Sequence, residues 1–287
     1  MIRTLENEWL RVDVADAGAE LTRVFDRRTG RERLWTGEPS VWNRHAPILF
    51  PFVGRVWGKK YRAGGREYPM PTQHGFARDL DFALVEQTEG AVTHRLTATP
   101  WTLERYPYDF SLTVRHRLEG NALRIEWTVE NPGDGPMYYS IGGHPGFLVP
   151  EGAEKEDCFI VFPGAERLTY IHVNPEGYAL PEKRTLSLEN GRARYQPDIP
   201  DTWIFEDHQV KAVGIAGPDG APCVTLRCEA FPMLAVWANP NGPFICLEPW
   251  FGRTDDAGFS GGIEQKKAVQ KLEKGERRDI AYSIEFH

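Results

Sequence analysis

Three short stretches of the chain place a titratable side chain in a loop-forming context. His74 lies in Gln-His-Gly-Phe-Ala-Arg, His144 lies in Gly-Gly-His-Pro-Gly, and Glu248 lies in Leu-Glu-Pro-Trp. Glycine lets a backbone approach a ligand closely and adopt conformations that other residues resist. A histidine and a glutamate together can supply a proton donor and a proton acceptor near neutral pH. These residue types therefore indicate acid–base chemistry on a small molecule.

Each of these stretches also has a structural interpretation, and both readings stand at the level of the sequence. His144 is either an acid or base presented at a pocket or a loop histidine hydrogen-bonded for structure. Glu248 ends an apolar run, so its carboxyl has either a raised pKa that suits a general base or a buried salt-bridge partner. Arg78 offers a planar fork of donors for hydroxyl, carboxylate or phosphate oxygens, unless it pairs with Asp79 or Asp81 at the surface.

Two further residues are candidates for contact with a ligand. Arg55 follows Gly54 at the end of an apolar run that we expect to belong to the core. Trp237 could present a flat face to a sugar ring, although most of the nine tryptophans must serve packing.

Cofactor and metal motifs are missing from the sequence. There is no Walker A loop and no Gly-x-Gly-x-x-Gly fingerprint. No pair of histidines has the spacing of a catalytic metal site, and neither His172 nor His208 has a companion ligand nearby in the sequence. We therefore expect chemistry that needs neither a cofactor nor a metal.

The elements that must position these residues are predicted to be strands. Residues 123–130 alternate apolar and polar side chains, which is typical of a strand with one buried face, and residues 110–130 predict a hairpin. Similar runs occupy residues 10–14, 82–87, 93–99, 110–118 and 280–286. Gly and Pro recur along the whole chain, as in sandwiches and barrels, and short helices are expected only around residues 39–44 and 166–168. The sequence thus predicts an all-β protein, a large antiparallel β-sandwich.

Composition limits the classes of partner. The chain has 287 residues, 41% of them hydrophobic and 26% charged, which is typical of a globular protein. A net charge of −7 argues against nucleic acid as the main partner. No apolar segment is long enough to span a bilayer, and the first residues lack an apolar signal core. Four cysteines without a zinc-type spacing are expected to be reduced thiols, so we expect a cytoplasmic protein. Nothing in the sequence indicates an oligomeric state.

Taken in order along the chain, the motifs resemble the aldose 1-epimerases, or mutarotases, of the galactose-mutarotase-like superfamily. The resemblance covers residues 1–287 as a single domain, and the His-Gly-Phe-Ala-Arg form is similar to the LacX-like bacterial branch and the hexose-6-phosphate 1-epimerases. The matching stretches are residues 18–21, 47–55, 73–78, 142–147, 244–250 and 272–276.

The resemblance implies a large antiparallel β-sandwich that binds a sugar in a cleft on one concave sheet. It implies that Glu248 is the general base and His144 the general acid of ring opening. His74 would help to bind and polarise the sugar, and Arg55 and Arg78 would be binding arginines.

The resemblance also implies an acidic residue that contacts sugar hydroxyls, for which Asp201 is the candidate. The implied activity is interconversion of the α and β anomers of an aldohexose, free or 6-phosphorylated. The alternative is a non-catalytic carbohydrate-binding or sensor protein on the same fold, because fold alone does not establish activity.

Overall fold

The computed structural model of this protein describes residues 1–195 and 202–287, and β-strands make up nearly all of its regular structure. The strands are β1 (Ile2–Glu6), β2 (Leu10–Ala15), β3 (Leu21–Asp26), β4 (Arg31–Glu32), β5 (Ile48–Leu49), β6 (Lys60–Ala63), β7 (Arg66–Pro69), β8 (Ala83–Gln87), β9 (Ala91–Thr97), β10 (Ser111–Glu119), β11 (Ala122–Glu130), β12 (Met137–Tyr139), β13 (Ile141–Gly143), β14 (Gly146–Leu148), β15 (Phe159–Val161), β16 (Arg167–Ile171), β17 (Arg184–Ser187), β18 (Arg192–Arg194), β19 (Thr202–Phe205), β20 (Ala212–Ala216), β21 (Pro222–Arg227), β22 (Met233–Trp237), β23 (Phe244–Phe251), β24 (Gln270–Leu272) and β25 (Arg277–Phe286). The helical elements are α1 (Pro100–Leu103) and short 3-10 turns at Trp57–Lys59, Ala77–Asp79, Lys155–Asp157 and Ile263–Gln265.

Two large sheets dominate the architecture. The nine-stranded sheet runs in the order β18-β15-β20-β21-β25-β11-β10-β9-β8. The eight-stranded sheet runs β17-β16-β19-β22-β23-β13-β5, and β14 also pairs with β23. Smaller sheets join β1 to β4, β12 to β24, and β6 to β7. The strand pairs of both large sheets are antiparallel, which confirms the predicted all-β antiparallel class.

The core lies where the two large sheets pack face to face. The alternate residues of β11, from Leu123 to Val129, are buried, as their alternation predicts. On the opposing sheet, Gly143 of β13 lies so close to this layer that an added Cβ would stand 2.7 Å from the Tyr282 hydroxyl. Phe147 of β14 contacts Phe286 of β25, with ring centroids 6.3 Å apart. Glycine at position 143 thus allows the sheets to approach closely.

β23 is buried on both of its faces. Its odd-numbered residues, such as Ile245 and Leu247, belong to the core between the sheets. Its even-numbered residues, Cys246, Glu248 and Trp250, lie on the other face and are equally buried. A strand that is covered on both sides is typically a continuous run of apolar residues. Glu248 is the exception in β23, because it is a charged residue type at a buried position.

The predicted strands and the predicted hairpin are confirmed, but the two predicted short helices are wrong. Residues 39–44 form a turn in which the Glu38 carbonyl accepts from the Val41 and Trp42 amides, and no helix follows it. Residues 167 and 168 begin β16, where Leu168 pairs with Leu186, because ladder hydrogen bonds outweigh a weak local preference for helix. Among the described residues, no helix has the length and apolar character to cross a membrane.

Candidate functional site

The strand register brings His144 opposite Glu248. Gly142 of β13 pairs with Trp250, and Gly146 of β14 pairs with Cys246. The register is the same on both sides of the Gly143–Pro145 connection, so the residue midway between these pairs faces Glu248. The His144 Nε2 and the Glu248 Oε2 lie 3.3 Å apart. Two antiparallel segments thus assemble the pair that the sequence places 104 residues apart.

The Glu248 carboxyl is almost completely buried. Only 1% of the residue is exposed, and no described side chain of opposite fixed charge pairs with it. Burial raises the pKa of the Glu248 carboxyl well above its ordinary value, and the neighbouring Trp250 indole offsets part of the rise. The predicted buried carboxylate is therefore present, and its environment favours the protonated form.

His144 is enclosed by aromatic rings. The ring centroids of Trp42 and Trp237 lie 5.0 Å and 5.5 Å from that of His144. Burial lowers the pKa of His144 to about 3, and the positive charge of Arg78 adds to this effect. His144 therefore resists protonation, whereas Glu248 resists ionisation.

His74 is locked in position and in tautomer by the backbone. Its φ is +66°, and Gly75 follows at +69°. The His74 amide donates to the Gly54 carbonyl at 2.7 Å, and the Gly54 amide donates to His74 Nδ1 at 3.0 Å. A Cβ at Gly75 would stand 2.3 Å from the Phe50 carbonyl oxygen, so this loop needs glycine. Because Nδ1 accepts a hydrogen bond, the neutral ring carries its proton on Nε2 and can act there as a donor.

One cavity of about 310 Å³ collects these side chains. Six of the seven predicted site residues line it: Arg55, His74, Arg78, His144, Trp237 and Glu248. Asp201, the seventh, lies outside the described residues. The walls come from the eight-stranded sheet and from the loops that follow β4, β5, β7, β16, β22 and β23.

The two arginines give the cavity a positive wall. Within the described part of the chain, neither Arg55 nor Arg78 forms a salt bridge, and the buried Nε of each has no hydrogen-bond partner. Arg78 donates from Nη2 to the Gln73 carbonyl at 2.9 Å. The alternative pairing with Asp79 is not found, because the Asp79 carboxylate contacts Arg44 instead. Burial lowers the pKa of Arg78, and its charge helps to lower the pKa of His74.

Several residues of the cavity were not predicted. The Trp42 ring packs against His144 in a tilted arrangement, and Gln73, Asn174, Asn239 and Thr254 add polar atoms to the wall. Asn174 and Asn239 each precede a proline and lie shortly after the ends of β16 (Ile171) and β22 (Trp237). Those strand-to-turn positions are a signal that sequence analysis could have used, since loops at strand ends commonly carry binding residues.

The structure also places a possible set of metal ligands here. Ligand atoms of His144, Cys246 and Glu248 all lie within 4.8 Å of one another, and all three residues are buried. Sequence spacing did not show this group because its members come from two paired segments.

A larger cavity, of about 900 Å³, lies elsewhere in the molecule. It is bounded by residues of the 29–33, 148–153 and 217–223 segments and by the C-terminal His287. None of the predicted site residues lines it. The volume of a cavity therefore does not locate the site; the convergence of titratable groups does.

Comparison with known proteins supports the same interpretation. The family model described as Aldose 1-epimerase matches residues 1–193. The chromosomal LacX protein of Lactococcus lactis subsp. lactis is 32% identical over 281 residues, which cover 93% of each chain. The chain belongs to the aldose 1-epimerase family.

Solved structures of aldose 1-epimerase-like proteins share this architecture. A galactose mutarotase related enzyme from Lactobacillus acidophilus superposes with a TM-score of 0.93 at 28% identity, covering 100% of this chain and 97% of that one. A galactose mutarotase-like protein from Lactobacillus casei superposes with a TM-score of 0.91 at 30% identity, covering 100% of both chains. These relatives extend beyond the family-model match and include the region that contains Glu248.

Proposed function

We propose that this protein is an aldose 1-epimerase that interconverts the α and β anomers of an aldohexose by acid–base ring opening and closure. The observation that carries the proposal is the contact of His144 with Glu248, at 3.3 Å within a buried cavity. Anomer exchange requires one proton donor and one proton acceptor at two oxygens bonded to the same carbon. Two groups this close together can each reach one of those oxygens.

Proton transfer through the pair proceeds in balanced steps. Glu248, as the carboxylate, takes the proton of the C1 hydroxyl, and the protonated His144 gives a proton to the ring oxygen. The bond between C1 and the ring oxygen breaks, and an aldehyde forms. After rotation about the C1–C2 bond, the two groups exchange roles and the ring closes as the other anomer. The pair holds a single proton throughout, so no cofactor is required.

The pKa shifts indicate which group of the pair carries the proton in the free protein. Both shifts favour a neutral carboxyl at Glu248 and a neutral imidazole at His144. Transfer of the proton from carboxyl to imidazole gives the ionic form of the same pair, without gain or loss of charge. Bound sugar hydroxyls stabilise that form by hydrogen bonding to the carboxylate. Coupled groups of this kind titrate as a pair.

The remaining predicted residues bind and orient the sugar in this proposal. His74 donates from Nε2 to a sugar oxygen, since its Nδ1 is already engaged by the Gly54 amide. Trp237 presents its ring to the sugar, and Trp42 shares that role because it packs against both Trp237 and His144. Asp201 stays a prediction for contact with sugar hydroxyls.

The positive wall favours a hexose 6-phosphate over a free hexose. The guanidinium groups of Arg55 and Arg78 have no carboxylate partner among the described residues, and a phosphate group would supply the missing negative charge. A free hexose would leave both charges uncompensated.

Three further expectations stay predictions: a single domain, a cytoplasmic location, and activity without a cofactor.

The test is direct observation of anomer exchange by NMR saturation transfer between the α and β signals of glucose, galactose and glucose 6-phosphate. We expect acceleration above the uncatalysed rate, with the largest effect for glucose 6-phosphate. Ligand-induced shifts without acceleration on any of the three sugars would contradict the enzyme and support the alternative of a carbohydrate-binding or sensor protein.

A further inference from the structure

We propose that the sugar cavity also binds a divalent cation of the Zn²⁺ type, held by His144, Cys246 and Glu248. The three side chains offer an imidazole nitrogen, a sulfur and a carboxylate oxygen, all within 4.8 Å of one another. These are the donor types that zinc takes in proteins. Three protein ligands with a fourth position open toward a cavity form a complete coordination set for this ion.

The strands bring these ligands onto one face. Cys246 and Glu248 are two residues apart on β23, so their side chains project to the same side. His144 reaches that side from the connection between β13 and β14. The Oε2 of Glu248 is buried and, although His144 Nε2 lies 3.3 Å away, it accepts no well-aligned hydrogen bond from the described residues. A buried acceptor without a donor is costly, and a bound cation would satisfy the Glu248 oxygen.

The distances suit a single ion. Zinc bonds of about 2.0–2.3 Å place two tetrahedral ligand atoms roughly 3.3–3.7 Å apart. His144 Nε2 and Glu248 Oε2 already lie 3.3 Å apart. The Cys246 sulfur lies within 4.8 Å of both ligand atoms and must move closer to complete the set. His144 and Glu248 line the cavity whereas Cys246 does not. The ion therefore enters from the sugar side, and the sulfur binds it from behind.

Charge balance makes the bound state tolerable in a buried site. Coordination by sulfur requires the thiolate, so the ion displaces the proton of the Cys246 thiol. It also displaces the single proton of the His144–Glu248 pair. One thiolate and one carboxylate then offset the two positive charges of the ion, which avoids an uncompensated buried charge.

Arg55 and Arg78 line the same cavity as His144 and Glu248, and their positive charge opposes a cation there.

The cation and the sugar exclude each other. The ion occupies the Glu248 oxygen and the His144 nitrogen that move protons in ring opening, so Zn²⁺ acts as a competitive inhibitor and not as a cofactor. This consequence rests on the proposed function, whereas the binding site itself does not.

Titration of the full chain with Co²⁺ as the probe tests the site without reference to activity. We expect one ion per chain and a thiolate-to-cobalt charge-transfer band in the near ultraviolet. Cys246→Ser should lose the band, and Cys246→Ala provides a second variant should the serine variant not fold. Cys223→Ser is the matched control, because Cys223 is a partly exposed thiol outside the site. Absence of the band in the wild-type protein, or its loss in Cys223→Ser and retention in Cys246→Ser, would overturn the site.

Inhibition of anomer exchange by Zn²⁺ tests the competition. Loss of even an outer hydrogen-bonding partner commonly weakens a metal site by about 10- to 100-fold. We therefore expect Cys246→Ser to need at least about tenfold more Zn²⁺ for half-inhibition than the wild-type protein or Cys223→Ser, each measured relative to its own uninhibited rate. Equal sensitivity of all three proteins would contradict competition at this site.

Discussion

At the scale of single residues, the site combines two groups whose environments push their pKa values apart. Burial raises the pKa of Glu248 and lowers the pKa of His144. Opposed shifts of neighbouring groups are a feature of acid–base pairs in enzymes. The Gly54–His74 hydrogen bond adds a fixed donor beside them. The sequence offered a raised pKa for Glu248 as one of two readings, and the burial seen in the fold favours it. The lowered pKa of His144 was not predicted, because it follows from burial that only the fold supplies.

The pH dependence of kcat/KM follows from these directions. The one-proton form of the pair persists between the lowered pKa of His144, about 3, and the raised pKa of Glu248. We expect kcat/KM for glucose, which carries no titrating phosphate, to stay level through neutral pH. The value of kcat/KM should fall in strong acid, where His144 is protonated as well and the pair holds two protons. It should also fall in alkali, where Glu248 ionises and the pair holds none. Arg55, Arg78 and His74 are the charged and titratable neighbours. An acid limb near the ordinary histidine pKa of about 6.5 would contradict this account.

Glu248→Gln should change the pH dependence of the free energy of unfolding. A carboxyl whose folded-state pKa is raised contributes stability that is present below its unfolded-state pKa and is lost as pH rises through the folded-state pKa. Gln does not ionise, so the variant avoids this loss. The free energy of unfolding of the variant relative to the wild-type protein should therefore be higher at about pH 8 than at about pH 5. Chemical denaturation at both pH values measures it, and a relative stability that falls with rising pH would show that the carboxylate is stabilised by the fold.

At the scale of elements, period-two alternation predicted the strands and one hairpin, but it does not indicate which distant strands pair. The 110–130 hairpin is present, with Ser111 paired to Glu130. The proximity of His144 to Glu248 depends on a shared register between distant segments, which no local pattern encodes. Trp42 was not predicted either, because its turn carries no motif and its place in the site comes from packing on His144. The two expected helices do not form, because the backbone hydrogen bonds there are made by a turn in one case and by strand pairing in the other.

Gly143 tests whether sheet packing holds this register. A Cβ there would stand 2.7 Å from the Tyr282 hydroxyl, so Gly143→Ala should lower the free energy of unfolding by about 1–3 kcal/mol. Removing the hydroxyl in Gly143→Ala/Tyr282→Phe should recover part of that loss beyond the sum of the single changes. Gly135→Ala is the control, because a Cβ there meets open space. Additive single and double variants would show that the predicted close approach does not limit packing.

At the scale of the whole molecule, an acidic protein contains a cavity with a positive wall. The net charge is −7, yet Arg55 and Arg78 line the same cavity as the acid–base pair. Sequence resemblance predicted this class of fold and five of the residues that line the cavity, and residue type alone predicted the sixth, Trp237. It left the choice between a free and a phosphorylated sugar open, because that choice depends on whether the guanidinium groups have internal partners.

Arg55→Gln tests that choice. Loss of a hydrogen bond to a charged group is worth about 1.5–3 kcal/mol, so kcat/KM for glucose 6-phosphate should fall by roughly tenfold to a hundredfold, and by less for glucose. Arg66→Gln, at an exposed position on β7, is the matched control and should leave both values unchanged. Equal losses for the two sugars in Arg55→Gln would assign Arg55 to hydroxyl binding and contradict a phosphate site.

The most direct test of the central claim is the rate of α–β exchange catalysed by Glu248→Gln, measured by saturation transfer beside the wild-type protein. A positioned acid or base contributes on the order of 10²–10⁴-fold, so the variant should lose at least about a hundredfold of the catalysed rate while retaining its fold and its sugar-induced NMR shifts. A folded Glu248→Gln protein that exchanges anomers at near the wild-type rate would contradict the assignment of Glu248 and His144 as the acid–base pair.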